Sequence, residues 1–219
     1  MNRTGKTVGW SVWIGIALII ATLAVALVLA RLRAELESQT PKLLINSPVP
    51  QFTLTNQLGK VVSLDELKGH VWVADIIFTR CAGPCPVMTR KMAELQETLP
   101  ANSTARLVTL TTDADFDTPP VLQKYAERFK ASPERWMFLT GDKHDVANLA
   151  IDGLKLTALA KPPEERTDDA DLFVHSTIFV IVDKAGNLRG AFQTQGEMVE
   201  WPDVKLEILA AVRQLESEP

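Results

Sequence analysis

The apolar positions are unevenly spread, and the longest run comes first. From Thr7 to Ala30 there are 24 residues without a charge, with a core of Val12-Trp13-Ile14-Gly15-Ile16-Ala17-Leu18-Ile19-Ile20. About 20 apolar residues at 1.5 Å rise cross a hydrocarbon layer of roughly 30 Å as a helix. Trp10 and Trp13 lie near the start of the run, where amphipathic rings favour the interface. A cleaved signal peptide would have an apolar region of about 7–15 residues and then a small-x-small site. Here the run is longer and Arg31-Leu32-Arg33 follows it. The pattern therefore predicts a retained membrane anchor over 1–30, with one transmembrane helix over about 8–30. Arg3 and Lys6 before the span nearly balance Arg31 and Arg33 after it, so the positive-inside rule barely decides the orientation. The reading adopted is a single-pass protein of a bacterial inner membrane, with the N-terminus inside and the soluble domain on the periplasmic side.

Residues 31–46 mix polarity without a period, which predicts a linker, and a globular domain is expected over 47–219. Gln51-Phe52-Thr53-Leu54-Thr55 alternates at period two, Asn56-Gln57-Leu58-Gly59 is turn-like, and Lys60 to Leu64 is extended again: a hairpin. His70 to Thr79 is apolar, β-branched and aromatic, as in a strand buried on both faces. A helical stripe (Val87, Met88, Met92, Leu95) predicts a helix from about Pro86 to Thr98. Arg106–Thr111 reads as a strand. Asp117 or Thr118 can cap a helix that carries Pro119 and Pro120 in its first turn and runs to Phe129. Trp136–Thr140 reads as a strand, Asp145–Leu159 as a helix, 160–171 as a polar loop, and His175–Val182 as a strand. Leu188–Gln193 pairs back across a turn at Asp183–Asn187, and a last helix spans about Asp203–Leu215. Strands alternating with helices predict an α/β sheet with a late hairpin, in an order that suits a thioredoxin-like sheet with an N-terminal β-hairpin addition.

Composition then excludes whole classes. Two cysteines in 219 residues rule out a disulfide scaffold and any four-cysteine cluster within the chain. The net charge is −4, and residues 1–30 contribute Arg3 and Lys6 but no acid, so the soluble part is more acidic still. A nucleic-acid partner is not expected of an acidic domain without a basic stripe.

The two cysteines, Cys81 and Cys85, sit in Phe78-Thr79-Arg80-Cys81-Ala82-Gly83-Pro84-Cys85-Pro86, where a buried strand ends and a helix begins. Ligands gather outside the carboxyl ends of strands in such sheets, and a helix N-terminus favours thiolate. Spacing i, i+4 on a helical turn places Cα atoms roughly 6 Å apart, inside the disulfide window of about 4.4–6.8 Å. The pair can be a disulfide, a dithiol or a metal clamp. Thioredoxin-like oxidoreductases use two intervening residues, and here there are three. A clamp needs further ligands, and the chain has three histidines. His70 starts the strand whose far end leads to the cysteines, so it belongs at the opposite pole. His144, between Lys143 and Asp145 at a helix start, reads as solvated. His175 opens a strand and is the natural third ligand. Two thiolates and one imidazole form a soft, low-coordinate set that suits Cu(I), with Cu(II) possible given an added ligand; zinc would want a fourth.

These residues resemble the Sco/SenC family of membrane-anchored copper proteins. The resemblance covers about 150 residues: the N-terminal anchor, Phe52 to Gly59, Phe78-Thr79-x-Cys81-x-x-x-Cys85-Pro86, Asp113-x-x-x-Asp117-Thr118-Pro119, Phe138-Leu139-Thr140-Gly141, and His175-Ser176 opening a strand that ends in Asp183-x-x-Gly186. It implies a thioredoxin-like fold in which Cys81, Cys85 and His175 bind one copper. It also implies a metallochaperone that delivers copper to the dinuclear copper site in a cytochrome c oxidase subunit, or reduces the thiols there. A thiol reductant or an upstream copper donor would be a second partner. Three positions depart from the family pattern: Ala82 where proline usually follows the first cysteine, Ala114 in the acidic motif, and Val174 before the histidine. None removes a ligand.

The alternative is a membrane-anchored thiol–disulfide oxidoreductase, with Cys81 and Cys85 as the catalytic redox pair and His175 tuning the thiolate. Asp113 and Asp117 match the family motif and could support the site from behind, whereas Asp115 reads as a solvated, helix-capping loop residue.

Overall fold

The β-branched runs assemble into one sheet, and the order in which they do so brings every chemically interesting loop to one edge. The computed structural model describes residues 5–38, 43–157, 161–166, 172–173 and 176–219. It divides into two units, Met1–Thr40 and Pro41–Pro219.

The first unit is one helix, α1 (Gly5–Ser38), in which Val12–Leu29 has a mean hydropathy of 2.8 and is long and apolar enough to cross a membrane. The helix continues through residues 31–38, where the absence of a period had predicted a linker. Arg, Leu, Ala and Glu dominate that stretch and are good helix formers whether or not a period is present.

The second unit is built on an eight-stranded sheet. In chain order its elements are β1 (Ser47–Pro48), β2 (Thr53–Asn56), β3 (Val61–Ser63), α2 (Leu64–Leu67), β4 (Trp72–Ile77), α3 (Pro84–Thr98), β5 (Arg106–Thr111), α4 (Pro119–Arg128), β6 (Trp136–Thr140), α5 (Lys143–Asn148), β7 (Ile178–Val182), β8 (Asn187–Gln193) and α6 (Trp201–Ser217). Across the sheet the strands run β1-β8-β7-β4-β5-β6-β2-β3. β4, β5 and β6 are parallel, joined by the α3 and α4 crossovers, and β7 lies antiparallel to β4. The β2–β3 hairpin adds to the edge at β6.

β4 is buried along its whole length, and its side chains alternate between two cores. Val73 and Ile77 pack with Met88 and Met92 of α3, Leu122 of α4 and Val212 of α6. Trp72, Ala74 and Ile76 pack with Leu54 and Val62 of the hairpin and Val146 of α5. The parallel strands end together, so the loops after β4, β5 and β6 and the entry to β7 all emerge at one pole.

Three boundaries differ from the sequence pattern. α3 begins at Pro84 rather than near Pro86, because a proline at the first helical position leaves no donor unpaired. The helix expected over Asp145–Leu159 starts earlier and breaks sooner. Asp142 caps α5, its carboxylate accepting the backbone N–H of His144 at 2.8 Å and of Asp145 at 3.4 Å. α5 then widens into a π turn at Leu149–Gly153, where a Cβ on Gly153 would lie 2.9 Å from Pro50. Leu159 lies outside the described residues. The strand expected from His175 begins at Ile178, which pairs with Gln193.

Candidate functional site

The chain leaves β4 at Ile77, turns at Phe78 with the Cys81 N–H donating to the Phe78 carbonyl at 3.2 Å, and enters α3. Cys81 therefore sits in the loop and Cys85 at the second position of the helix, so the pair does not share one helical turn. Neither is in a disulfide and both are buried. The Cys85 thiol is hydrogen-bonded to Cys81. That bond, followed by burial, pushes Cys85 well above the ordinary thiol range, against a lowering by the backbone N–H of Phe78. The helix N-terminus was expected to favour thiolate here; a neighbouring sulfur and an apolar wall outweigh it at Cys85. Behind the helix, the Cys85 carbonyl accepts the Thr89 hydroxyl at 2.9 Å, and Thr89 in turn meets the Tyr125 hydroxyl at 2.9 Å.

The cysteine loop is bolted to the loop after β5. Asp117, fully buried, accepts the Thr79 N–H at 3.0 Å and the hydroxyls of Thr79 and Thr111. Burial pushes its carboxyl up, against the lowering by those hydroxyls. Asp117 is thus not the cap of α4. Thr118 holds that position, without a side-chain cap bond. Asp113 binds the Arg80 guanidinium through Nε at 3.0 Å and Nη2 at 2.5 Å. Arg80 also lies 4.3 Å over the ring of Phe116. Asp115 is exposed and pairs with Lys143.

A small cavity of about 10 Å³, room for one water or ion, lies against the loop and is lined by Cys85, Phe78, Thr112 and Ser176 among others. Ser176 immediately follows His175 in the chain. His175 itself, with Val174, lies outside the described residues. The other two histidines fall away from the cysteines: His70 donates from Nδ1 to the Thr104 carbonyl at 3.0 Å at the start of β4, and His144 is exposed at the start of α5. Among the described residues no group of three or more His, Cys, Asp or Glu side chains could hold a metal ion.

Several partners escaped the sequence reading. Arg80, the unspecified position of the cysteine motif, gave no sign of its partner Asp113, and Thr79, though part of the motif, gave none of its bonds to Asp117. Asp75, fully buried on β4, was passed over as part of an apolar run; a lone carboxylate in such a run was the available signal.

The sequence model of the SCO1/SenC family matches residues 44–203. The chain belongs to the SCO1/SenC family. The SCO1 protein homolog of Bacillus subtilis is 38% identical over 146 residues, 66% of this chain and 72% of that protein. The solved structure of BsSco, a member of the Sco family of cytochrome c oxidase assembly proteins in which a disulfide switch was identified, aligns at TM-score 0.66 and 33% identity, covering 82% of this chain and 98% of that one. Yeast Sco1 with copper bound aligns at TM-score 0.63 and 24% identity, covering 79% and 91%. This SCO1/SenC chain accordingly has a thioredoxin-like α/β fold with an added N-terminal hairpin, β2–β3, and one apolar N-terminal helix that fits a membrane anchor.

Proposed function

We propose that this protein is a copper-binding metallochaperone that resembles those delivering copper to the dinuclear copper site of cytochrome c oxidase, with Cys81, Cys85 and His175 as the ligands. The observation that carries the reading is a pair of adjacent, buried thiols at a strand end, neither of them in a disulfide. Two sulfurs with one imidazole satisfy Cu(I) and leave zinc short of a ligand. Family membership and a fold shared with copper-bound yeast Sco1 support the metal. The Cys85 thiol holds its proton tightly, so copper must displace it, and loading releases protons. The ion is cargo and leaves by ligand exchange to the thiols of the copper-site subunit. An upstream copper donor or thiol reductant resets the pair. In this reading α1 is a single-pass anchor in a bacterial inner membrane and holds the domain on the periplasmic side.

A second reading has a specific observation behind it. Adjacent thiols of which one already donates to the other are placed for disulfide formation, and BsSco carries a disulfide switch. In that case the pair reduces a partner's disulfide through a mixed disulfide.

The test is an anaerobic Cu(I) titration of the reduced, detergent-solubilised chain against a competing chelator. The expected result is one tightly held copper per chain, lost in Cys81→Ser and Cys85→Ser and weakened at least tenfold in His175→Ala. No tight copper, with thiols that still exchange with a dithiol probe, would replace the chaperone reading with the oxidoreductase.

A further inference from the structure

Two strands part at the pole that carries the cysteines. β4 pairs with β5 as far as Ile77 and Thr111, but its pairing with β7 ends at Ala74 and Val180. The small cavity lies at that opening, with Ile76, Ile77 and Cys85 on one side and Ser176 on the other. Beyond Val180 the run into β7 is held through β8. Ile178 pairs with Gln193, and the Thr177 carbonyl accepts the Thr194 N–H at 2.8 Å. The Gln193 side-chain amide donates to the Thr177 hydroxyl.

The end of β8 is in turn tied to α3. Thr194 is fully buried, and its hydroxyl lies 2.8 Å from the Thr177 carbonyl and 2.9 Å from the sulfur of Met88. The Thr194 carbonyl accepts the Lys91 ammonium. Lys91 is partly buried and lies 5.3 Å over the ring of Trp201. A hydrogen bond from an ionised donor is of the stronger kind, and here it orders a long, flexible side chain. Met88 and Lys91 belong to α3, the helix whose second residue is Cys85. Thr177 follows His175 by two positions in the chain, which limits their Cα separation to at most about 7 Å.

We propose that Lys91 and Thr194 are positioning residues of the site: by tying Thr177 to α3 across the opening between β4 and β7, they fix how far the chain bearing His175 stands from the helix bearing Cys85. They touch neither copper nor a ligand, and they act through the imidazole alone. The proposal rests on the reading in which His175 is the third ligand. Groups that hold metal ligands from behind in this way typically change metal affinity by about 10–100-fold when removed.

The experiment places Lys91→Met, Thr194→Val and Thr194→Ser in the full detergent-solubilised chain, each in the wild-type and the His175→Ala background. The readouts are Cu(I) affinity by competition, the nitrogen hyperfine splitting in the electron paramagnetic resonance spectrum of the Cu(II)-loaded form, and the thermal stability of the metal-free form. Lys91→Met keeps the apolar stem over Trp201, and Thr194→Val keeps the shape. With His175 present, each should weaken Cu(I) several-fold, together about tenfold, and each should reduce the nitrogen splitting. Thr194→Ser retains the hydroxyl and should match wild type. In the His175→Ala background neither Lys91→Met nor Thr194→Val should weaken copper further, because the two changes remove one interaction. Lys91 is partly exposed, so Lys91→Met carries the test should Thr194→Val fail to fold. Unchanged affinity and splitting in Lys91→Met and Thr194→Val, with His175→Ala still weakening copper, would overturn the proposal and leave the ligand set standing. An equal loss in both backgrounds, following the loss of metal-free stability, would also overturn it and make the two residues packing residues. If His175→Ala alone leaves the affinity unchanged, the ligand set is wrong and the proposal falls with it.

Discussion

Replacing Asp75 with Asn should remove a pH dependence from the stability of the soluble unit. The side chain lies on the α3 face of β4 and is fully buried. One carboxylate oxygen accepts the Thr109 hydroxyl at 2.6 Å, the other has no partner, and no cation among the described residues compensates it. Burial, the dominant cause, pushes the carboxyl from 3.8 up to about 7. A carboxyl whose folded pKa exceeds its unfolded value binds more protons in the folded state between the two. Stability is therefore highest at and below about pH 4 and falls as pH rises towards 7, with the full cost present above that. The size of the effect is roughly 4 kcal/mol at the upper limit. Asn keeps the shape and cannot ionise. The expected result, from denaturant unfolding followed by near-ultraviolet circular dichroism, is that Asp75→Asn is several kcal/mol more stable than wild type at pH 8 and no more stable at pH 4. Parallel stability profiles for the two proteins would show that Asp75 is not the titrating group. The Asp75 charge also pushes the Cys85 thiol up, behind the larger effects of the Cys81 bond and burial, so the same variant should react faster at its cysteines near neutral pH.

The second large effect concerns Asp117. Its carboxylate closes the gap between the cysteine loop and the β5 loop through one N–H and two hydroxyls. Alanine leaves those three donors with no acceptor in a buried place, and each loss is worth about 1–3 kcal/mol. Asp117→Ala should lower stability by about 3–5 kcal/mol. It should also raise the rate at which iodoacetamide modifies Cys81 and Cys85 in the still-folded protein, since Thr79 no longer pins the loop. Asp117→Asn keeps one acceptor oxygen and should cost less. Stability loss without faster modification would mean that Asp117 braces the β5 loop alone.

How much of this the sequence revealed depends on the range of the interactions involved. The apolar N-terminal helix, the β2–β3 hairpin, the β4–α3–β5 and β5–α4–β6 crossovers and the β7–β8 hairpin were all legible, because each is written in local periodicity and turn residues. The place of the cysteines was legible for the same reason: Cys81 and Cys85 follow a buried strand and precede a helical stripe. Other features depend on distant partners. β1 is two residues long and exists only because Ser47 and Pro48 meet Leu188 and Asn187. The widened turn at Leu149–Gly153 is matched to Pro50, some hundred residues earlier. α2 carried a local signal, Ser63 followed by Glu66, but was hidden by the extended character of the residues before it; the Ser63 N–H donates to the Glu66 carboxylate at 2.8 Å. For the cap of α4 the sequence offered Asp117 or Thr118, and for Asp117 also a place behind the site; it could not choose, because the Asp117 partners Thr79 and Thr111 lie on two other segments. The spacing of Cys81 and Cys85 gave the right neighbours by the wrong geometry: only Cys85 is in the helix.

The central claim is that two sulfurs and one imidazole hold a single copper. X-ray absorption at the copper edge of the Cu(I)-loaded full chain, beside the loaded His175→Ala form, tests it most directly. The predicted result is a first shell of two sulfurs and one nitrogen in wild type, with the nitrogen lost and both sulfurs kept in His175→Ala. A shell unchanged by that substitution, or one with fewer than two sulfurs in wild type, would contradict it.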